Sequence, residues 1–179
     1  IDCRSCFIWG RDSTKVQRMI EDLQSRERIQ TWGLEIKAAE VLDDLVSQCN
    51  LIVTTTSARN PLIRADLVQE GTHITAMGSD DHGKQELEAE LLAKADLVVA
   101  DSILQCVDHG ECCAAVQGGQ IREDSILELG QVIKNPTIGR TNEDQITVVD
   151  LTGVAIQDIQ IAKIVDRALS SPEREAELA

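Results

Sequence analysis

Residues 73–87, "HITAMGSDDHGKQEL", decide how this chain is read. The first half is apolar and partly β-branched, too short for a buried helix, and it halts at Gly78 and Ser79. The second half opens on two adjacent carboxylates, Asp80 and Asp81, and reaches Lys84 a few residues later. An apolar run that breaks into a glycine-containing polar loop reads as a buried strand whose exit carries functional groups.

The same pattern recurs on both sides. Short apolar runs stand at "CFIWG" (6–10), "LEIKA" (34–38), "LIVTTT" (51–56), "THITAMG" (72–78), "LVVAD" (97–101) and "ITVVDL" (146–151), most of them ending in Gly, Ser, Thr or Asp. Between them lie helical patterns. Ser13 is expected to cap a helix whose apolar stripe is Val16, Met19, Ile20 and Leu23, and Val41, Leu42, Leu45 and Val46 make a second stripe. Residues 102–109, 111–117, 123–133 and 154–169 read as further helices, and "SSPEREAELA" (170–179) as a polar tail. Strand and helix in alternation predict α/β architecture: a parallel sheet with flanking helices and right-handed crossovers.

Composition agrees with that class. The 179 residues are 42% hydrophobic and 27% charged, enough for one substantial core and one domain. With one Phe, two Trp and no Tyr, the core must be built from Ile, Leu, Val and Ala, which suits a sheet covered on both faces. A net charge of −14 and a pI near 4.5 argue against nucleic acid and anionic membranes as partners, because the long-range field repels polyanions. No apolar stretch approaches the roughly 20 residues that span a bilayer, and the start lacks the layout of a signal peptide, so a cytoplasmic location is expected. The six cysteines lie mostly in apolar segments and read as thiols.

In an open parallel sheet, ligands gather at the carboxyl ends of the strands. That rule selects four stretches. In "WGRDS" (9–13), Gly10, Arg11 and Asp12 stand where a dinucleotide fold meets the adenosine ribose: Arg11 suits a 2′-phosphate, Asp12 keeps ribose hydroxyls open, and an ordinary helix N-terminus is the plain alternative. In "TTTSA" (54–58), Thr55 and Ser57 could hydrogen-bond a cofactor or could simply be strand residues. In the loop after residue 76, a carboxylate at a strand end, Asp80 or Asp81, with Gly78 and Gly83 allowing close backbone approach and Lys84 available for an anion, fits a general acid or base beside a cofactor, with a solvated turn as the alternative. In "DLTG" (150–153), Thr152 and Gly153 stand where a strand turns into a helix and could contact an anion or nicotinamide, with a plain cap as the alternative. Metal readings are weak. Cys3 and Cys6 have no second pair, and His109, Cys112 and Cys113 lack a fourth ligand, so no metal is expected. Neither a nucleophile elbow nor a phosphate-loop lysine motif occurs.

Taken in order, "IWGRD", residues 50–56, "GTHITAMGSDDHGKQEL", "LLAKADLVVADS", "QCVDHGE", "ELGQVI" and "GRTNEDQITVVDLTGVAIQD" resemble the ornithine cyclodeaminase and mu-crystallin family over nearly the whole chain. The resemblance implies a Rossmann-type NAD(P) domain over residues 1–169. It carries a catalytic aspartate onto Asp80, a cofactor-contacting lysine onto Lys84, and cofactor contacts onto 10–12, 57, 77–79, 151 and 152. Asp81 and His82 match no known role. It further implies a glycine-rich pyrophosphate loop and first strand upstream of "IWGRD", and a preceding substrate and dimerisation domain. Both are absent from this chain, which starts at Ile as a fragment would and is expected to be poorly stable and inactive alone. The implied chemistry is NAD- or NADP-dependent conversion of L-ornithine or a related amino acid to proline and ammonia through an imine, by a homodimer of the full-length protein. Rival expectations are an imine, ketimine or pyrroline-2-carboxylate reductase, an alanine dehydrogenase, or a non-catalytic crystallin-like NADP(H) binder. The acid at position 80 favours an enzyme.

Overall fold

The structure, a computed structural model, describes residues 3–170. Its elements run β1 (Ser5–Ile8), α1 (Ser13–Ser25), α2 (Glu27–Trp32), β2 (Glu35–Ala38), α3 (Leu42–Gln48), β3 (Leu51–Thr54), β4 (His73–Ala76), α4 (Ala89–Lys94), β5 (Leu97–Ala100), α5 (Ile103–His109), α6 (Glu111–Gln117), β6 (Leu127–Glu128), α7 (Leu129–Lys134), β7 (Thr147–Asp150) and α8 (Ala155–Leu169). Of the expected polar tail, residues 171–179 lie outside the described residues.

All pairings are parallel, as the apolar runs predict, but they make two sheets. β1 pairs with β2, and the larger sheet has the order β3-β4-β7-β5-β6. The chain crosses from β4 through α4 to β5, continues through α5 and α6 to β6, and returns through α7 to insert β7 between β4 and β5. Register aligns the strand ends: Thr54 stands opposite Ala76, Ala76 opposite Asp150, and Asp150 opposite Ala100. The ladder runs one residue further, with the amides of Met77, Leu151 and Asp101 donating to Thr54, Ala76 and Asp150 at 2.9, 2.9 and 3.1 Å. Four exits therefore emerge side by side.

Burial follows the aliphatic composition. Ile52, Ile74, Ala76, Leu87, Leu91, Leu92, Val98, Ala100 and Val148 form one continuous core with Val46, Val68 and the thiols of Cys106 and Cys112. A second, smaller cluster of Val16, Ile20 and Ile36 holds α1 on the β1–β2 pair. No helix is long and apolar enough to cross a membrane among the described residues.

Three local expectations are corrected. Asp12, not Ser13, caps α1, its Oδ1 accepting from the amides of Thr14 and Lys15 at 3.0 and 3.2 Å, and Met19 turns outward at 54% exposure. Val41 is the residue before α3 and is exposed, so the stripe begins at Leu42. The expected helix over 123–133 is a 3₁₀ turn, strand β6 and α7, because Leu127 and Glu128 pair with Val99 and Ala100 while Ile126 is buried. Cross-strand pairing here overrides a favourable helical pattern.

Candidate active site

The aligned exits bring together most of the residues singled out by sequence. Thr55 and Ser57 leave β3, Met77 to Asp80 leave β4, and Leu151 and Thr152 leave β7. Thr55, Ser57, Met77 and Asp80 are exposed, whereas Gly78 and Ser79 are buried. Lys84 is drawn back onto Asp80, its Nζ donating to the Asp80 carboxylate. That ammonium holds the Asp80 carboxyl below the usual carboxylate range, so Asp80 is an anion at neutral pH and can accept a proton. The Ser79 hydroxyl donates to the carbonyl of Lys84 at 2.9 Å and closes the loop behind Asp80.

A buried carboxylate that the sequence reading passed over builds this rim. Glu86 is fully buried, and its two oxygens accept from the amides of Thr56 at 2.5 Å and Gly78 at 2.8 Å. One side chain thus ties the β3 exit to the β4 exit. Gly78 is required for the same reason: a Cβ there would collide with the Thr56 carbonyl and the Glu86 carboxylate. The Glu86 carbonyl also accepts from the amides of Leu62 and Ile63 at 2.7 and 2.9 Å, locking the long β3–β4 connection into place.

Behind it stands a second buried acid. Glu111, at the start of α6, accepts from the amides of Glu86 and Leu87 at 2.7 and 2.9 Å. Burial pushes its carboxyl up to about 8 against the opposing pull of those two hydrogen bonds. Asp150 ends β7 with one oxygen accepting from the Cys112 amide at 2.9 Å, and burial raises its carboxyl too. Acidic residues are usually solvated, so nothing in the pattern "KQEL" or "HGE" marks these as internal. Only the fold buries them.

The last exit is shaped by Asp101, likewise unmarked in sequence. Its carboxylate accepts from the Thr152 amide and hydroxyl at 3.3 and 3.2 Å and from the Gly153 amide at 2.8 Å, and Gly153 takes the left-handed φ of 87° that the turn needs. Leu151 and Thr152 are fixed by this acid.

Gly10, Arg11 and Asp12 stand apart, at the end of the β1–β2 pair. Gly10 and Arg11, with Trp9, Ala38, Ala39 and Glu40, line an open cleft of 880 Å³. A Cβ at Gly10 would lie 3.1 Å from Val16 Cγ2, so this exit packs closely on α1. Arg11 is exposed, but the Asp12 carboxylate is committed to the α1 cap, which leaves Glu21 and Glu40 as the acids lining the cleft. The Cys–His reading comes apart in space: Cys112 is buried with its thiol pushed up by burial, whereas the partly exposed Cys113 donates to the Asp108 carbonyl at 3.2 Å.

A parallel sheet with an acid-bearing rim is shared by many enzymes, and comparison with known proteins decides among them. Residues 2–172 match the ornithine cyclodeaminase/mu-crystallin family. The chain belongs to that family. Over 126 residues, 69% of this chain and 39% of the relative, it is 47% identical to the alanine dehydrogenase of Archaeoglobus fulgidus. The crystal structure of the iminosuccinate reductase of Paracoccus denitrificans in complex with NAD⁺ superposes with a TM-score of 0.78 at 36% identity, covering 91% of this chain and 48% of that one. A lysine cyclodeaminase, solved for its recognition of L-lysine, L-ornithine and L-2,4-diaminobutyric acid, superposes with a TM-score of 0.78 at 26% identity, covering 96% and 46%. This family member therefore spans about half the length of these relatives. Dehydrogenase, reductase and cyclodeaminase all occur among them, and all three chemistries pass through or act on an imine.

Proposed function

We propose that the full-length protein is an NAD(P)-dependent enzyme that interconverts a small α-amino acid and its imine, with Asp80 as the proton-transfer residue. The observation that carries this reading is an anionic carboxylate at the exit of β4, aligned with the neighbouring strand ends and paired with Lys84. A bound nicotinamide would supply the hydride acceptor, or in reduction the hydride donor, for the substrate α-carbon. Asp80 takes the proton from the substrate nitrogen in the oxidative direction and gives it back in reduction. Thr55, Ser57, Met77, Gly78, Ser79, Leu151 and Thr152 would line the nicotinamide side, and Gly10 and Arg11, with Glu40, the adenosine side.

The dehydrogenase or reductase reading leads, because the alanine dehydrogenase and iminosuccinate reductase relatives exceed the lysine cyclodeaminase in identity. A cyclodeaminase acting on L-ornithine is the second reading, favoured by the 96% coverage of this chain by the lysine enzyme. The two separate in one assay on the full-length protein. Net NADH from L-alanine and NAD⁺, or NADH or NADPH consumed with a cyclic ketimine, marks the oxidoreductase. Ammonia and proline from L-ornithine without net NADH mark the cyclodeaminase. In either case Asp80→Asn lowers kcat by about 10²–10⁴-fold while cofactor binding is retained. Unchanged turnover in that variant removes Asp80 from the mechanism.

A further inference from the structure

The proposed chemistry leaves His82 without a role, and the fold places it against a group far away in sequence. Two of the chain's three histidines meet here. His82 Nε2 lies 3.5 Å from Asp108 Oδ2, and His109 Nδ1 lies 3.1 Å from the same oxygen. The three donor atoms all fall within 4.8 Å of one another, and the two rings stand edge to face with centroids 5.5 Å apart.

We propose that His82, Asp108 and His109 form a binding site for a borderline divalent transition metal, with Zn²⁺ as the fitting ion. Zinc holds imidazole nitrogen and carboxylate oxygen at about 2.0–2.2 Å, which puts neighbouring ligands roughly 3–3.6 Å apart. The two Asp108 distances already match that spacing. The third edge closes by a small movement of His82, which is exposed and sits on a loop. Two neutral imidazoles and one carboxylate select zinc, nickel or copper over magnesium and calcium, which prefer all-oxygen sites. Three protein ligands on an open surface leave a fourth position for water.

The site's location gives binding a consequence. His82 lies on the loop that carries Asp80, and Asp108 and His109 end α5. Ser79 already touches that end, its hydroxyl 3.4 Å from the His109 carbonyl. A bound ion would pin the Asp80 loop to α5.

The test is a Zn²⁺ titration of the full-length protein by calorimetry, with Co²⁺ as a spectroscopic probe. One stoichiometric ion is expected, with a Co²⁺ spectrum free of the thiolate charge-transfer band that the free cysteines would produce. His82→Ala and Asp108→Ala should each weaken Zn²⁺ binding roughly tenfold or more. Both side chains are exposed, and circular dichroism checks that the variants remain folded. No stoichiometric binding, a thiolate band, or unchanged affinity in either variant would each overturn the proposal.

Discussion

The five-stranded sheet and the β1–β2 pair are built from similar apolar runs, yet they are held very differently. Around the large sheet a continuous aliphatic core encloses three acids that accept from backbone amides: Glu86 at the β3 and β4 exits, Glu111 at Glu86 and Leu87, and Asp150, through one oxygen, at Cys112 in α6. The small sheet rests on Val16, Ile20 and Ile36, and its exit is organised by an exposed cap, Asp12. Buried acids can define a rim only where a core large enough to exclude water makes their hydrogen bonds hard to exchange. The proposed nicotinamide end is therefore rigid, and the proposed adenosine end is the part able to adjust.

The sharpest way to break this contrast is at the core itself. Leu91→Ala, at a fully buried position, should cost about 3–5 kcal/mol and unfold the large sheet, whereas Ile20→Ala should loosen mainly 5–38; denaturant unfolding with hydrogen exchange resolves the two. Equal, global loss of protection in both variants would merge the regions into one cooperative unit. Next in size is Glu86→Ala, which leaves the amides of Thr56 and Gly78 without partners in a buried setting. A loss of about 2–4 kcal/mol is expected, with weakened NADH binding by fluorescence in the full-length protein even though Glu86 itself is buried behind the rim.

A pH scan sharpens the comparison further. The Glu111 carboxyl is raised from 4.5 to about 8 in the folded protein, so between these values the folded state holds a proton that the unfolded chain has lost. Its contribution is fully present below pH 4.5 and is lost as pH rises toward 8. Asp150, also raised, acts in the same sense, whereas His73, lowered by burial, gives stability that is lost as pH falls below its usual 6.5. Glu111→Gln should therefore flatten the decline of Tm with rising pH without abolishing it, and an unchanged slope would reassign it. The smallest effect is expected in the small sheet. Asp12→Ala should cost about 1 kcal/mol and raise amide exchange only near the start of α1.

Much of the site was legible before any coordinates. The carboxylate pair at 80–81 and Thr152 could be placed at strand exits because short apolar runs end where polar and glycine residues begin, and parallel sheets gather ligands at such ends; the choice of Asp80 and Met77 came from the resemblance. The resemblance then narrowed the rim to a family. The helix expected at 123–133 failed because a two-residue strand carries almost no periodicity, and its pairing with β5 is invisible locally. Ser13 and Asp12 are both good caps, and only backbone geometry chooses between them.

By itself, the order of residues determined a parallel α/β chain of aliphatic core, an acid at a strand exit and an anionic surface, because alternation, composition and charge are local or additive properties. Tertiary structure alone decided that Glu86 and Asp101 tie strand ends together and that Glu111 is buried behind Glu86. It also decided that His82 meets His109 across 27 positions, and that the sheet divides in two. The reason is physical: a carboxylate is solvated or buried according to what the rest of the chain packs around it, and no stretch of sequence contains its own neighbours in space.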